Sequence, residues 1–232
     1  GLYPSHAKPT GFFNSAGTKM WIPVRQHSNS SLLMQCIDIT PSSAQTCPNS
    51  YVTGISVPAG TSGTGNGRKG ENIGQSQQIG SKIYTPLNLS SGLTIYCFDI
   101  ETESSCRGVP WRLGDQSITP TLLTNLSTVK VNSKIILWAA GNFYCFDTET
   151  QSLCWASPLT PAYNSIYGTT APKSAFPVPM ADANGQVVGV CAIGYTECAM
   201  LSGTLVAAPS GYSTYLKPYV DNYYGGSWPV TK

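Results

Sequence analysis

Apolar and polar residues along this chain come in short alternating runs, and no stretch repeats its apolar positions at the three-to-four residue spacing of an amphipathic helix. The runs "TKMWIPVRQ" (18–26), "LLMQCIDI" (32–39), "SKIYTPLNL" (81–89), "LTIYCFDI" (93–100), "SKIILWAAG" (133–141), "NFYCFD" (142–147) and "VVGVCAIG" (187–194) have strand length and strand composition. Between them lie turns rich in Gly, Ser, Thr, Asn and Asp. The pattern predicts an all-β chain built from hairpins.

The eight cysteines fall in four couplets, at 36 and 47, 97 and 106, 145 and 154, and 191 and 198. Aligned on the first cysteine of each couplet, the chain divides into four units. Each opens with a strand-like run near a lysine (Lys19, Lys82, Lys134, Lys173), then turns into a second strand carrying the first cysteine. A polar turn and the second cysteine follow. From Cys36 to Cys97 is 61 residues, from Cys97 to Cys145 is 48, and from Cys145 to Cys191 is 46. The longer first interval contains a Gly-, Ser- and Gln-rich stretch at 54–80, read as an inserted surface loop. The second and third units share "YCFDxETxSxC", the first is looser and the fourth diverges most.

In "NFYCFDTETQSLCW", alternation puts Tyr144 and Phe146 on one sheet face, and Cys145 and Asp147 on the other. Asp147, Thr148, Glu149 and Thr150 offer side-chain oxygens to a turn. A Cys145–Cys154 bond is then a rung across adjacent strands, worth about 2–3 kcal/mol from loop closure. Four such couplets predict disulfides Cys36–Cys47, Cys97–Cys106, Cys145–Cys154 and Cys191–Cys198, and an oxidising, extracellular setting, secreted or at the cell surface. Zinc is disfavoured, because the two histidines, His6 and His27, lie far from every couplet.

Residues 82–113 and 134–155 resemble the repeat of quinoprotein-type β-propellers: a strand, a Gly turn, a "Y-x-x-D" strand, a "T-G" turn and a closing Trp. Tyr144, Asp147, Thr150 and Trp155 stand at the matching positions. Gln151 replaces the turn glycine, and the paired cysteines are an addition. The resemblance implies a small, four-bladed β-propeller, one domain over 1–232, with a β-sandwich as the alternative. It implies no quinone site and no other cofactor. Ring closure is expected to use a terminus, either "GLYPSHAKPTGFF" or the Tyr-rich tail at 210–232. Tyr212, Tyr215, Tyr219, Tyr223, Tyr224 and Trp228 in that tail suit an interface, within the ring or with another subunit.

Charge changes the functional picture more than the fold. Charged residues are 10% of the chain and the net charge is +2, which gives no basic surface for nucleic acid. No apolar run approaches the length of a membrane span, and neither end reads as a signal peptide, as in a mature or trimmed chain. The Gly65, Gly67, Gly70 spacing formally matches a dinucleotide loop, but no helix pattern follows, and no Ser or Thr follows Lys69 to complete a phosphate loop.

Asp38, Asp99 and Asp147 occupy one repeated position, and Glu101 and Glu149 another, with Glu103 in the same turn; these read as turn support. The unrepeated carboxylates are Glu71, Asp115, Asp182, Glu197 and Asp221, from which a glycosidase pair would have to come. "DANGQ" at 182–186 reads as a hairpin turn rather than a calcium loop. Asn29, Asn88 and Asn125 head N-x-S sequons. The expected function is a non-enzymatic extracellular structural or adhesive protein whose partners are copies of itself, another extracellular protein or a glycan, with filament or surface-layer assembly through its tails. The alternative is a lectin stacking sugars on Trp21, Trp111, Trp138, Trp155 or Trp228, and a secreted glycosidase stands third.

Overall fold

A computed structural model describes residues 2–3, 11–26, 30–40, 42, 44–48, 50–58, 72–114, 126–163, 177–192 and 195–209. Among these the regular elements are all strands, arranged in four antiparallel sheets that follow one another along the chain. The all-β, four-repeat organisation expected from the couplets is the organisation found.

The first sheet centres on β3 (Lys19–Gln26) and β4 (Ser31–Asp38). β1 (Leu2–Tyr3) and β2 (Phe12–Phe13) pair with β3, while β5 (Gln45–Thr46) and β6 (Tyr51–Ser56) pair with β4. The second sheet runs β7 (Gln77–Ile79), β8 (Lys82–Leu89), β9 (Gly92–Asp99), β10 (Ser104–Ser105), with β11 (Trp111–Arg112) also on β9. The third is a four-stranded meander of β12 (Ser127–Val131), β13 (Lys134–Ala139), β14 (Asn142–Asp147) and β15 (Ser152–Leu153). The fourth repeats that plan with β16 (Pro177–Ala181), β17 (Val187–Ala192), β18 (Glu197–Met200) and β19 (Leu205–Ala207).

Register follows from the turns. β13 and β14 are joined by Ala140 and Gly141, with φ of 50° and 88°, the left-handed pair that matches the twist of a two-residue hairpin. That turn sets Ala139 opposite Asn142 and, as the last of the six pairs of the ladder, Lys134 opposite Asp147. The same register sets Lys19 opposite Asp38 and Lys82 opposite Asp99. The central hairpins of the first three sheets are therefore closed at their open ends by a lysine facing an aspartate.

The sheets pack face to face through three apolar cores. Trp21, Leu32, Met34 and Cys36 of the first sheet meet Ile83, Leu87, Tyr96 and Phe98 of the second. Tyr84, Leu93, Ile95 and Cys97, on the other face of the second, meet Ile135, Leu137, Ala139 and Phe146 of the third. Ile136, Trp138, Phe143 and Cys145, on the far face of the third, meet Val190, Ala192 and Ala199 of the fourth. The second and third sheets, covered on both sides, have nearly continuous buried strands; β8 and β9 are buried at all but their ends. Among the described residues no core joins the fourth sheet to the first, and the four sheets form an open series rather than a closed ring.

The stretch 54–80 is less of a surface loop than its composition suggests. Residues 54–56 finish β6 and 77–79 form β7. Asn72, Ile73 and Ser76 are buried: Ile73 bridges to Leu87, and Asn72 and Ser76 hydrogen-bond Asn88 and Thr85. Polar side chains with buried partners explain why this part of the chain folds inward despite its composition. Gly65, Gly67, Lys69 and Gly70 lie outside the described residues.

Candidate functional site

The repeated phrase is built as a closed end of a hairpin. Asp147 Oδ1 accepts from the backbone N–H of Glu149 at 3.0 Å, Asp99 from Glu101 at 3.0 Å, and Asp38 from Thr40 at 2.9 Å. The next N–H after each aspartate, from Ile39, Ile100 and Thr148, donates to the carbonyl of the residue before each lysine, Thr18, Ser81 and Ser133, all at 2.9 Å. Lys134 Nζ lies 2.5 Å from Asp147 Oδ2. Partial burial pushes the Asp147 carboxyl up, but the Lys134 bond, its charge and the N–H groups of Glu149 and Thr150 prevail and hold it below the ordinary value. Asp38 is also held low, by the Thr40 hydroxyl and backbone N–H.

Across this closed end the polypeptide is stitched by disulfides within every couplet: Cys36–Cys47, Cys97–Cys106, Cys145–Cys154 and Cys191–Cys198. In the first three sheets the second cysteine donates its backbone N–H to the carbonyl of the first, at 3.1, 3.0 and 3.0 Å. Their Cα atoms are 5.3, 5.3 and 5.2 Å apart, as in hydrogen-bonded pairs. Cys191 and Cys198 are 4.2 Å apart, the spacing of the alternate, non-hydrogen-bonded pair. The first cysteines are not surface staples: Cys36 and Cys97 have no exposed surface and Cys145 is 2% exposed, each inside an inter-sheet core.

Most of the remaining described carboxylates are likewise engaged. Glu101 Oε1 accepts from Ser15 N–H at 2.7 Å, and Glu103 pairs with Lys19; both reach from the second sheet to the first. Sequence repetition assigned them to turn support, whereas the structure makes them links between sheets. Glu197 Oε2 accepts from Ala162 N–H at 2.6 Å. Asp182 Oδ1 accepts from Asn184 and Gln186 N–H, each at 2.9 Å, within the hairpin turn expected for "DANGQ". Glu149 is exposed. No group of three or more His, Cys, Asp or Glu gathers into a metal-binding cluster among the described residues.

The tryptophans mark packing. Trp21 is 1% exposed and lies 4.8 Å from Phe98; Trp138 is fully buried against Phe143 and Tyr195. Trp155, at the closing position of the repeat, is 6% exposed and donates Nε1–H to Leu201 O at 3.2 Å, so it ties the third sheet to the fourth. Trp111 is half-buried against Tyr84 and Phe146.

Asn88 corrects a sequon reading. It is 3% exposed in β8, and its Nδ2 donates to Asn72 Oδ1 at 2.9 Å. A glycan on that nitrogen has no room in the folded sheet, because the residue's place in the strand turns it inward. Asn29, Asn125, His6, His27, Glu71, Asp115, Lys173, Asp221 and the tail residues Tyr212, Tyr215, Tyr219, Tyr223, Tyr224 and Trp228 lie outside the described residues.

What the sequence did not single out is the exposed apolar surface. Phe13, Val52 and Val206 are 49%, 52% and 36% exposed, and register places them on the two outer faces of the series. Phe13 and Val52 lie on the first sheet's face away from the second, opposite Met20 and Leu33. Val206 lies on the fourth sheet's face away from the third, beside Cys198.

No family model matches the sequence, and no curated protein is similar to it. Among solved structures the chain is similar to the extracellular domain of a proposed one component system from B. thetaiotaomicron. The TM-score is 0.42 at 10% identity, over 90% of this chain and 23% of that one. It is also similar to a functionally unknown protein from Desulfotomaculum acetoxidans, with TM-score 0.38 and 8% identity over 86% of this chain and 68% of that one. The chain thus spans under a quarter of the first structure's length.

Proposed function

We propose that this chain is a non-enzymatic extracellular scaffold whose four sheets are consecutive blades of a propeller type and which works by joining surfaces. One observation carries the reading: the described carboxylates of Asp38, Asp99, Asp147, Glu101, Asp182 and Glu197 accept hydrogen bonds that shape turns or tie segments together. A hydrolytic pair needs carboxylates free to meet a substrate. The burial of Trp21, Trp138 and Trp155 removes three of the platforms a lectin would use. Four disulfides suit a secreted or surface-exposed chain.

The test is a paired screen of the full chain: release of reducing ends from a panel of polysaccharides, and binding to immobilised glycans. Neither signal is expected above that of the reduced, unfolded chain. Turnover abolished by Glu197→Gln would overturn the reading in favour of a glycosidase, and glycan capture abolished by Trp111→Ala would overturn it in favour of a lectin.

A further inference from the structure

All eight cysteines are committed to the disulfides, so the reactive sulfur left to the chain is that of its four methionines, Met20, Met34, Met180 and Met200. Met34 has no exposed surface. Met20, Met180 and Met200 are half-buried. Two of these share one row of the fourth sheet, where Met180 of β16 and Met200 of β18 are the partners of Gly189 on either side. Gly189 has no side chain to fill the centre of that row, and the two methionines fill it: a Cβ at Gly189 would lie 3.1 Å from Met180 Cε and 3.2 Å from Met200 Sδ. The thioethers therefore meet over a buried stretch of backbone while each side chain keeps part of its surface in solvent.

Met200 also anchors the turn that seals the third sheet to the fourth. Its N–H donates to Thr204 O at 2.8 Å, and its carbonyl accepts from Gly203 N–H at 2.9 Å. That turn carries Leu201, whose carbonyl accepts from Trp155 Nε1–H, and Gly203, where a Cβ would lie 2.9 Å from Trp155 Cδ1. A change at the Met200 sulfur is thus felt one residue from the contact that holds Trp155. Peroxide transfers an oxygen to a thioether: a sulfur lone pair forms the S–O bond, the O–O bond breaks, and the peroxide is reduced to water. The sulfoxide is polar and larger, and over Gly189 it would stand where apolar atoms are packed, at the cost of burying its oxygen or displacing the side chain.

We infer that Met180 and Met200 form a peroxide-sensitive modification site, and that sulfoxide there loosens the fourth sheet's seal on Trp155. The site acts through packing, so its effect is confined to the fourth sheet and the seam beside it. It stands apart from the scaffold reading, which turns on carboxylates and sugar platforms. Leucine in place of either methionine nearly conserves volume and removes the sulfur.

The experiment is hydrogen exchange of the full chain read by mass spectrometry, before and after brief exposure to hydrogen peroxide, for wild type and the Met180→Leu, Met200→Leu double variant, with sulfoxides located by peptide mapping. In wild type, sulfoxide is expected at Met180 and Met200 ahead of Met34. Exchange in peptides covering 197–207 should then rise about tenfold, while peptides covering 82–99 keep their rate. The double variant, still open to oxidation at Met20, should show no rise over 197–207. Treating oxidised wild type with methionine sulfoxide reductase should return both thioethers and the original rate, a check that needs no variant. Met180 and Met200 left intact where Met34 is oxidised, sulfoxide at the pair without faster exchange, an equal rise in the double variant, or a rate that stays high once both thioethers are restored would each overturn the inference.

Discussion

The third and fourth sheets share a strand plan, each a four-stranded meander with one disulfide, and differ in what surrounds them. β13 and β14 are packed on both faces, closed by Lys134 facing Asp147, and turned by an aspartate that accepts backbone N–H groups. In the fourth unit Ile193 stands two residues after the first cysteine, where the others have aspartate. There β16 is mostly at the surface, β19 has two exposed residues of three, and the disulfide sits on the alternate kind of backbone pair. The degree to which each unit keeps the repeated phrase thus tracks how completely its sheet is enclosed. A sheet held from both sides needs a closed hairpin end and a defined register; a terminal sheet is free to lose them.

That contrast is broken or sharpened by stability measurements, read from urea unfolding. The largest effect is expected at Trp138, fully buried between the third and fourth sheets: Trp138→Ala should cost about 3–5 kcal/mol, against under about 0.5 kcal/mol for Val206→Ala on the open face. Similar losses at the two sites would show that the outer face is as enclosed as the inner one.

Removing a rung comes next. The Cys145→Ala, Cys154→Ala double variant should lose about 2–3 kcal/mol by loop closure. The Cys191→Ala, Cys198→Ala variant closes a loop only slightly shorter, 7 residues of separation against 9, so its loss should be close to the same. A loss near zero for the fourth-sheet rung alone would mean that this sheet unfolds apart from the rest.

The charge pair gives a smaller and pH-dependent effect. Because the Asp147 carboxyl is held below its ordinary value of 3.8, its contribution is present above the unfolded pKa, near 4, and disappears as pH falls through the folded value. Asp147→Asn should therefore cost under about 1 kcal/mol at neutral pH and flatten the loss of stability on acidification below about pH 4. A curve as steep as that of wild type would assign the acid sensitivity elsewhere.

The smallest change is a gain. Gln151 takes φ of 55°, a left-handed conformation that favours glycine. Relief of the left-handed penalty, offset by the greater freedom of glycine in the unfolded chain, should make Gln151→Gly more stable by about 0.5–1 kcal/mol. No change would show that the turn stores no strain.

The cysteine pairing and the central hairpins were legible in the sequence because both depend on contacts between residues close along the chain. The facing of Lys82 with Asp99 and Lys134 with Asp147 was also latent there: lysine and aspartate were each seen to repeat, and counting outward from a two-residue turn pairs them, while the longer turn before β4 sets Lys19 opposite Asp38. Glu101 and Glu103 were misassigned because their partners, Ser15 and Lys19, belong to another sheet, and stacking between sheets leaves no trace in local periodicity. Asn88 misled for a related reason. A sequon reports three residues, while burial of the amide against Asn72 depends on a residue sixteen positions away along the chain. The outer faces were hidden by their ordinariness, since Phe13, Val52 and Val206 look in sequence like any other strand residues.

The placement of the first cysteines inside the inter-sheet cores has a kinetic consequence. A reductant in solution cannot attack a sulfur at Cys36, Cys97 or Cys145 until the adjoining sheets part, so it must enter through the second cysteine, which is half-buried at Cys106 and Cys154 and buried at Cys47. The Cys36–Cys47 bond, buried at both ends, therefore yields to excess thiol only as its seam opens. Peptide mapping after brief exposure to reductant would find Cys36–Cys47 the last of the three to be cut.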